Sequence, residues 1–362
     1  MIISDLHLSA GYFFNGKVNN LEDFIYDQEL VQFFQYYSTG EYKNQEVEVV
    51  INGDFIDFLA VPYVNFFDDK FWSAEASVEK LKLILDAHKE VFSELKKFIS
   101  QDNKKITYII GNHDAELQMN AVANVLHEYF DHHDSFKLLG FDQQEYRPFE
   151  GVVIKHGHSY DVPNDISLND NFFVNKDGEE FFIPPWGSYY VSRVINRFKI
   201  ERRHVASVRP IKKFIINGLI YDFYFTCRFI LANVVYYFMV RFIYLFKTKK
   251  SIQAFFDLIK NELDLKVGKV TVEDFIQDHS RDQVIVTGHT HRPEFTQLSD
   301  SKVYINTGTW TKMYNLEFGM EGHGTTLTYA IVESISLGEI DKIESNLQAW
   351  KGLNDKPFID FA

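Results

Sequence analysis

The chain has 362 residues, 46% of them hydrophobic, and a formal net charge of -14 at pH 7. This composition suits a globular protein with a large core, and the acidic balance argues against a generally basic nucleic-acid binder. Cys227 is the only cysteine, which excludes an internal disulfide and a thiolate zinc cluster, so any metal would be held by His, Asp and Asn. The N-terminus lacks a basic segment followed by an apolar stretch, and we therefore expect a cytoplasmic protein.

Short apolar runs alternate with helical stretches along the chain, which is typical of α/β layering. The first run is only Ile2 and Ile3, so we expect either a true start further upstream or an abbreviated strand at the edge of the sheet. Residues 74–99 have apolar positions at helical spacing and predict a long amphipathic helix. The other strand-like runs are residues 47–51, 106–110, 152–154, 284–286, 303–305 and 325–332.

Polar clusters follow five of these runs. They are Ser4-Asp5-Leu6-His7, Gly53-Asp54-Phe55-Ile56-Asp57, Gly111-Asn112-His113-Asp114, His156-Gly157-His158 and Gly288-His289-Thr290-His291. Because open α/β sheets gather their sites at the carboxyl ends of strands, we expect the clusters to converge in space. Imidazole, carboxylate and amide ligands suit Mn, Fe, Zn or Ni and disfavour a calcium cage.

Spacing within the clusters indicates how ions would be held. Asp5 and His7 are two positions apart at a strand end, so both side chains point to the same side and can chelate one ion. A carboxylate can bridge two ions about 3.5–4 Å apart, and Asp54 is the candidate. The clusters therefore predict a site for two divalent metal ions.

In this order, Asp-x-His, Gly-Asp-x-x-Asp, Gly-Asn-His-Asp, His-Gly-His and Gly-His-Thr-His resemble the motifs of the calcineurin-like metallophosphoesterase superfamily. The resemblance covers about residues 1–160 and 283–310, and it implies a four-layer α/β/β/α sandwich. It also implies a hydrolase that cleaves a phosphoester or pyrophosphate bond through a hydroxide bridging two divalent ions, Mn²⁺ first among them. The implied ligands are Asp5, His7, Asp54 and His291 for one ion and Asp54, Asn112, His156 and His289 for the other.

The same resemblance places His113 beside the substrate, where it would stabilise the phosphate or protonate the leaving oxygen. Either Asp114 or Asp57 would orient it. His158 is equally suited to supporting the ligands and to a structural hydrogen bond. The remaining polar candidates are Asp161 and Asn164, expected to brace their loop; His127, His132 and His133, expected on a solvated surface; and His323, whose role stays open.

Residues 165–280 break the α/β rhythm, and we interpret them as a helical cap inserted into one catalytic domain formed by residues 1–164 and 281–362. Within the cap, residues 193–250 hold thirteen Lys and Arg and two acids, a net charge of 13 - 2 = +11, which leaves -14 - 11 = -25 for the rest. The longest uncharged run, residues 229–240, is shorter than the ~18–20 residues that span a bilayer. We therefore expect no transmembrane helix.

Two interpretations of this basic, aromatic cap stay open. In one, its apolar faces pack on each other and on the catalytic domain, and its basic residues are simply solvated. In the other, apolar helices flanked by Lys and Arg dock on an anionic membrane surface or hold acyl chains. The second would make the protein peripheral on the inner face of the membrane.

The residues around the motifs narrow the substrate class. Phosphoprotein phosphatases of the superfamily carry Arg-Gly after Gly-Asp-x-x-Asp and Glu at the end of Gly-Asn-His-Glu, whereas this chain has Phe58-Leu59 and Asp114. Nucleases would require a basic groove, and this catalytic body is acidic. Pyrophosphatases that cleave UDP-diacylglucosamine share an apolar insertion but typically carry Arg at the position of His113.

We therefore expect a phosphorylated small molecule or lipid as substrate, lipid-linked or nucleotide-linked and gripped by the cap, and no nucleic acid. The alternatives are a phosphoprotein phosphatase or nuclease of the same superfamily, or a catalytically silent, membrane-associated scaffold.

Overall fold

A computed structural model describes residues 1–248, 270–315, 326–336, 341–353 and 358–360. The strands are β1 (Ile2–Ile3), β2 (Phe13–Phe14), β3 (Lys17–Val18), β4 (Val47–Asn52), β5 (Lys104–Ile109), β6 (Phe136–Leu139), β7 (Val152–Ile154), β8 (Phe172–Val174), β9 (Glu180–Phe182), β10 (Val208–Arg209), β11 (Val284–Thr287), β12 (Glu294–Ser299), β13 (Lys302–Asn306), β14 (Tyr314–Asn315), β15 (Leu327–Ser336), β16 (Asp341–Trp350) and β17 (Phe358–Asp360). The helices are α1 (Asp27–Tyr36), α2 (Ala74–Ala87), α3 (Lys89–Ile99), α4 (Asn120–Tyr129), α5 (Leu168–Asn171), α6 (Trp186–Tyr190), α7 (Asn196–Glu201), α8 (Ile211–Tyr221), α9 (Phe223–Thr248) and α10 (Val270–Asp278).

Two mixed sheets organise the described residues. The larger has seven strands in the order β17-β16-β15-β1-β4-β5-β6, with β1, β4, β5 and β6 parallel and the other three antiparallel. The smaller has the order β12-β13-β11-β7, in which β7, β11 and β13 are parallel. These sheets with their helices confirm the α/β class expected from the alternating pattern. The strand-like runs fall on β4, β5, β7, β11, β13 and β15. Ile110 and Thr326 lie just outside their strands, and Thr325 lies outside the described residues.

The shortest strand of the larger sheet occupies its interior. β1 has two residues, and Ile2 is in register with Val50 on one side and with Ala330 on the other. The idea that the sheet has an abbreviated edge strand is therefore wrong. The interior position matters because the chain leaves β1 directly into Ser4-Asp5-Leu6-His7, at the centre of the sheet.

Alternation along the strands divides the core. Val50 of β4 belongs to an apolar cluster shared with Ile154 of β7 and Val286 of β11, so this cluster joins the two sheets. The neighbouring Val49 and Ile51 point to the other face, into the large cluster that includes the apolar residues of α1 to α4. The parallel strands therefore have both faces buried.

The predicted helix over residues 74–99 is two helices. α2 begins at the cap Ser73, whose Oγ accepts a hydrogen bond from Ala76 N–H at 3.2 Å. It ends at His88, whose backbone leaves the helical region (φ -111°, ψ 33°) before α3 begins. His88 Nδ1 lies 2.6 Å from Asp27 Oδ1 of α1, and its Nε2 lies 3.5 Å from Glu22. A contact with a distant element therefore sets the break, which apolar spacing alone does not reveal.

The insertion contains two consecutive apolar helices, α8 and α9. α8 buries none of its residues, and α9 runs for 26 residues. Within α9, the 18 residues Phe223–Val240 are long and apolar enough to cross a membrane by length and composition, and 22% of that window is buried. The expectation of no transmembrane helix is based on the uncharged run of residues 229–240, which is shorter than this window because the window includes Arg228.

Candidate metal centre

The polar clusters converge at the carboxyl ends of the parallel strands. Asp5 and His7 follow β1, Asp54 follows β4, Asn112 and His113 follow β5, His156 follows β7, and His289 and His291 follow β11. Three groups of side chains bring one ligand atom apiece to within 4.8 Å of one another: Asp5 with His7 and His291, His7 with Asp57 and His113, and Asp54 with His156 and His289. The structure therefore brings all the predicted ligand-bearing motifs together.

The side chains of the first group, Asp5, His7 and His291, lie close together. His7 Nε2 and His291 Nε2 are 3.0 Å apart, and His291 Nε2 is 3.3 Å from Asp5 Oδ1. Asp5 is fully buried and is held by the hydroxyl of Ser4 and by the backbone N–H of His289, which donates to Oδ2 at 2.9 Å. Two imidazole nitrogens and a carboxylate oxygen therefore face one point.

The second group adjoins it. His156 Nε2 lies 3.2 Å from Asp54 Oδ2 and 3.3 Å from Asn112 Oδ1. The other ring nitrogen of His156 lies 2.7 Å from the carbonyl oxygen of Asn52, which fixes the ring with Nε2 toward the cluster. Asp54 Oδ1 accepts a hydrogen bond from His113 N–H at 2.8 Å, so its carboxylate touches two strand ends.

The backbone of the ligands is unusual. Asp5, His7, Asp54, His289 and His291 all have positive φ, between 52° and 67°. Left-handed conformations are uncommon for residues with a Cβ and cost roughly 1–2 kcal/mol each. Such strain collects at functional sites, because the surrounding fold must hold it.

Gly53 shows how closely the motifs pack. Its φ is +80°, and a Cβ added to it would collide with the ring of His156. The glycine before Asp54 is therefore needed both for its backbone angle and for the approach of a ligand ring.

Charge pairing dominates the electrostatics of the buried groups. Burial raises the pKa of the Asp54 carboxyl, but His156 and His113 outweigh it and hold that pKa well below its usual range. Burial lowers the pKa of His156, whereas Asp54 raises it, to about 10. Burial raises the pKa of Asp5, but His291 and His156 together outweigh burial and lower that pKa. These carboxylates are thus ionised and require positive partners, which protons or metal ions can supply.

Asp57 links two histidines of the site. Its Oδ1 lies 3.1 Å from His113 Nδ1, and its Oδ2 lies 3.5 Å from His7 Nδ1. Burial lowers the pKa of His113, but Asp57 and Asp54 outweigh it and raise the pKa to about 9. Of the two acids expected to orient His113, Asp57 is therefore the one in contact with its ring.

Asp114 has a different position. Its carboxylate accepts hydrogen bonds from Phe55 N–H at 3.0 Å, from Tyr108 Oη at 2.6 Å and from Gly111 N–H. Burial and the negative charge of Asp54 raise the pKa of Asp114 to about 7. Asp114 thus connects the loops after β4 and β5. The hydrogen bonds of its carboxylate go to Phe55, Tyr108 and Gly111 and not to the imidazole of His113.

The ambiguous polar residues separate into two sets. Asp161 Oδ2 lies 3.0 Å from His289 Nε2 and accepts a hydrogen bond from Asn164 Nδ2 at 2.7 Å, so this pair braces a ligand as well as its loop. His158 is buried, and neither ring nitrogen has a hydrogen-bond partner among the described residues. Burial holds the pKa of His158 well below its usual range, so it is neutral. His132 and His133 are exposed, His127 is half-buried, and His323 lies outside the described residues.

A cavity of about 580 Å³ opens over the ligands and is lined by Asn112, His113, His289 and Arg292. A second, of about 260 Å³, reaches His7 and His113 from the side of the insertion. Arg209 lines both, and its Nη1 donates to the carbonyl oxygens of Ala206 and Val208. No ion pair with an acidic side chain is found for Arg209 among the described residues.

The placement of Arg209 could not be found from the sequence, where it is one of thirteen Lys and Arg residues between positions 193 and 250. It depends on how the insertion packs on the described residues before position 165 and after position 280. The buried side chain of Asn196 donates to Leu59 O at 2.7 Å, Lys199 Nζ lies 2.6 Å from Asp23, and β10 pairs with β14. These contacts fix the start of α8 beside the centre.

Comparison with known proteins adds no further assignment. No protein-family model matches the chain, and no curated protein matches it significantly.

Proposed function

We propose that the protein is a dinuclear metal-dependent phosphoesterase of the calcineurin-like type. The observation that carries the proposal is the pairing of two adjoining ligand groups, Asp5-His7-His291 and Asp54-His156-His289. They touch through His289, whose N–H donates to the Asp5 carboxylate while its ring joins the second group. Two-metal sites hold ions about 3.5–4 Å apart, which requires ligand groups that adjoin in this way.

The residues present fit a pair of divalent ions. Imidazole nitrogens 3.0 Å apart, such as those of His7 and His291, converge where a shared cation would satisfy both. Asn112 contributes an amide oxygen to the second group, and Asp54 lies where one carboxylate can serve both. This mixture of N and O ligands favours Mn²⁺, with Fe, Zn or Ni as alternatives.

We further propose the four-layer α/β/β/α arrangement. It is supported by the apolar cluster between the two sheets and by helices on their outer faces. On the smaller sheet, Ile285 and Tyr304 pack with Phe275 of α10. The insertion then lies outside these layers, over the strand ends that carry the ligands.

When bound, the two ions would polarise the phosphoryl oxygens and lower the pKa of a water molecule. His113 would act as the general acid that protonates the leaving oxygen. Asp57 holds the ring of His113 and would stabilise its imidazolium, which can donate a proton to the leaving oxygen. Arg209 would bind a phosphate oxygen through the donors that its backbone contacts leave available.

The two cavities indicate the kind of substrate. The larger is bordered by polar groups and by Arg209 and Arg292, which suits a phosphate with a polar substituent. The smaller is bordered by apolar side chains next to His113 as well as by polar ones such as Asp23, Asn196 and Lys199, and its apolar part suits an apolar group on the same phosphorus. These apolar residues are Tyr190, Val191, Ile195, Val205, Ile211, Phe229 and Met313. We propose a lipid-linked phosphoester or pyrophosphate as substrate.

The proposal is tested with Mn²⁺-supplemented assays on a chromogenic phosphomonoester, a phosphodiester and a pyrophosphate. Asp54→Ala should abolish turnover and lower the metal content, because the variant lacks a carboxylate of the second group that is proposed to bridge both ions. His113→Ala should keep its metal and turn over more slowly, by roughly 10²–10⁴-fold.

His132→Ala, which changes an exposed histidine on the surface, is the matched control and should leave activity unchanged. Full activity of Asp54→Ala would refute the two-metal proposal. A wild-type protein that binds Mn²⁺ and turns over none of the three substrates would favour a silent scaffold.

A further inference from the structure

Helices α8 and α9 leave many large apolar side chains exposed among the described residues. Large apolar side chains are exposed along the hairpin of α8 and α9: Ile211, Ile216, Leu219, Ile220, Tyr221, Phe223, Tyr224, Leu231, Val234, Val235, Phe238 and Met239. Exposed apolar patches of this extent mark interaction surfaces, whereas single exposed apolar residues are ordinary.

The exposed residues of α9 form one continuous stripe. Tyr224, Leu231, Val235 and Phe238 follow each other at intervals of seven, four and three positions, which places them on one face of the helix. On the opposite face, the buried side chains of Phe225, Phe229 and Tyr236 pack in an apolar cluster with α7. α9 therefore has apolar side chains on both faces, and among the described residues protein packs against only one of them.

We infer that the α8–α9 hairpin docks the protein on an anionic lipid bilayer. A helix with apolar side chains on all faces is found either in a protein core or in lipid. Only 22% of the segment Phe223–Val240 is buried, so α9 is not a core helix. Tyr221, Phe223 and Tyr224 lie at the tip of the hairpin, and aromatic side chains are enriched where protein meets the membrane interface.

Charge decides in favour of an anionic surface. Residues 193–250 carry a net charge of +11, and Lys212 and Lys213 lie in the first turn of α8. Clustered Lys and Arg next to apolar helices attract acidic lipid headgroups. An isologous dimer through this face would instead place two segments of +11 against each other, which opposes association.

The hairpin is continuous with the cavity beside the centre, since Ile211 of α8 and Phe229 of α9 line that cavity. Docking through the hairpin would therefore bring the opening to the membrane. The docking itself rests on the hairpin alone and does not require the proposed hydrolase activity.

The test is co-sedimentation of the full chain with vesicles of phosphatidylcholine alone or mixed with phosphatidylglycerol, at low and high salt. We expect sedimentation with the anionic vesicles only, and less of it at high salt. Leu231→Glu with Val235→Glu should lower binding by roughly tenfold or more, because both side chains would enter the apolar phase. They are 63% and 57% exposed, so the fold should tolerate the change.

Phe13→Glu with Val174→Glu is the matched control, since these residues are 68% and 63% exposed outside the hairpin, and it should bind like the wild type. Ile220→Ser with Tyr221→Ser, at the hairpin tip, gives a milder second variant that should also lose affinity. Unchanged binding of both hairpin variants, or no sedimentation with anionic vesicles at low salt, would overturn the inference.

Light scattering tests the alternative that a second copy of the chain covers the hairpin. A wild-type dimer that Leu231→Glu with Val235→Glu converts to a monomer would show that a second copy covers this face, and the inference would fail. Running the sedimentation with Mn²⁺ and with a chelator separates this result from the metal proposal, because docking through the hairpin should be equal in both.

Discussion

Asp57 is the side chain that joins the proposed acid, His113, to the first ligand group. Its two oxygens contact His113 and His7 separately, so one carboxylate orients two rings. The Asp-x-x-Asp spacing in the sequence made it a candidate, but gave no preference between Asp57 and Asp114. The paths of the chain after β4 and β5 decide between them. Asp57 is turned toward the two histidine rings, and Asp114 accepts a hydrogen bond from Tyr108.

Asp57→Asn should lower kcat by roughly 10²-fold or more while KM and metal content change little. The amide keeps the shape but removes the charge that raises the pKa of His113. Steady-state kinetics with metal analysis measures this, and Asp134→Asn, at an exposed position, is the control. Loss of the metal together with activity would assign Asp57 to the ligand set instead.

Gly53→Ala should remove metal binding and destabilise the protein. The substitution combines a strained φ of +80° with a collision against the His156 ring. Gly178→Ala is a close control, because Gly178 has a φ of +83° and nothing lies within 4 Å of an added Cβ. Both should lose about 1–2 kcal/mol through the backbone, and Gly53→Ala should lose distinctly more. Equal losses in thermal unfolding, with metal retained in both, would contradict the packing argument.

At the scale of elements, local patterns predicted the strands well and the helices less completely. Apolar runs such as those of β4 and β5 end in polar residues, and that contrast alone located the strand ends that carry the ligands. The break at His88 depends on Asp27 and Glu22, which are distant in sequence, so no local pattern contains it. The position of Arg209 likewise depends on packing of the insertion and not on its composition.

His88 should make stability depend on pH. Burial lowers the pKa of His88, but its hydrogen bonds with Asp27 and Glu22 outweigh this and raise the pKa to about 9. A histidine with a raised pKa in the folded state stabilises most below its unfolded value of about 6.5, and this contribution is lost as pH rises through 9. The contribution is at most about 3 kcal/mol.

The measurement is the free energy of unfolding of the wild type and of His88→Gln between pH 6 and 10. The difference between them should shrink as pH rises across that window. A difference that stays constant would show that His88 is neutral in the folded protein. The exposed His133→Gln variant controls for general effects of pH.

The whole molecule concentrates ionised carboxylates and imidazoles at one edge of the sheets. A ligand that binds only the folded state stabilises it by RT ln(1 + [L]/Kd), which is about 3–4 kcal/mol at 100 to 1,000 times Kd. The centre contains residues from both 1–164 and 281–362. Metal binding should therefore stabilise the fold that these two segments form together.

Chelation should therefore lower Tm by several degrees, and Mn²⁺ should restore it. Differential scanning calorimetry with and without chelator measures the shift. In Asp54→Ala the shift should be much smaller, since the variant lacks the carboxylate proposed to bridge the two ions. A shift of the same size in that variant would place the stabilising ion elsewhere in the molecule.

The left-handed backbone at five ligand positions also has a consequence for how substitutions at the site are chosen. An alanine there removes the ligand atom but keeps the unfavourable φ, whereas a glycine removes both. Asp54→Gly should therefore be more stable than Asp54→Ala by about 1 kcal/mol, although glycine normally destabilises. At these positions the inactive sequence that folds best is one with glycine, so relaxed selection on activity would favour drift toward glycine over alanine.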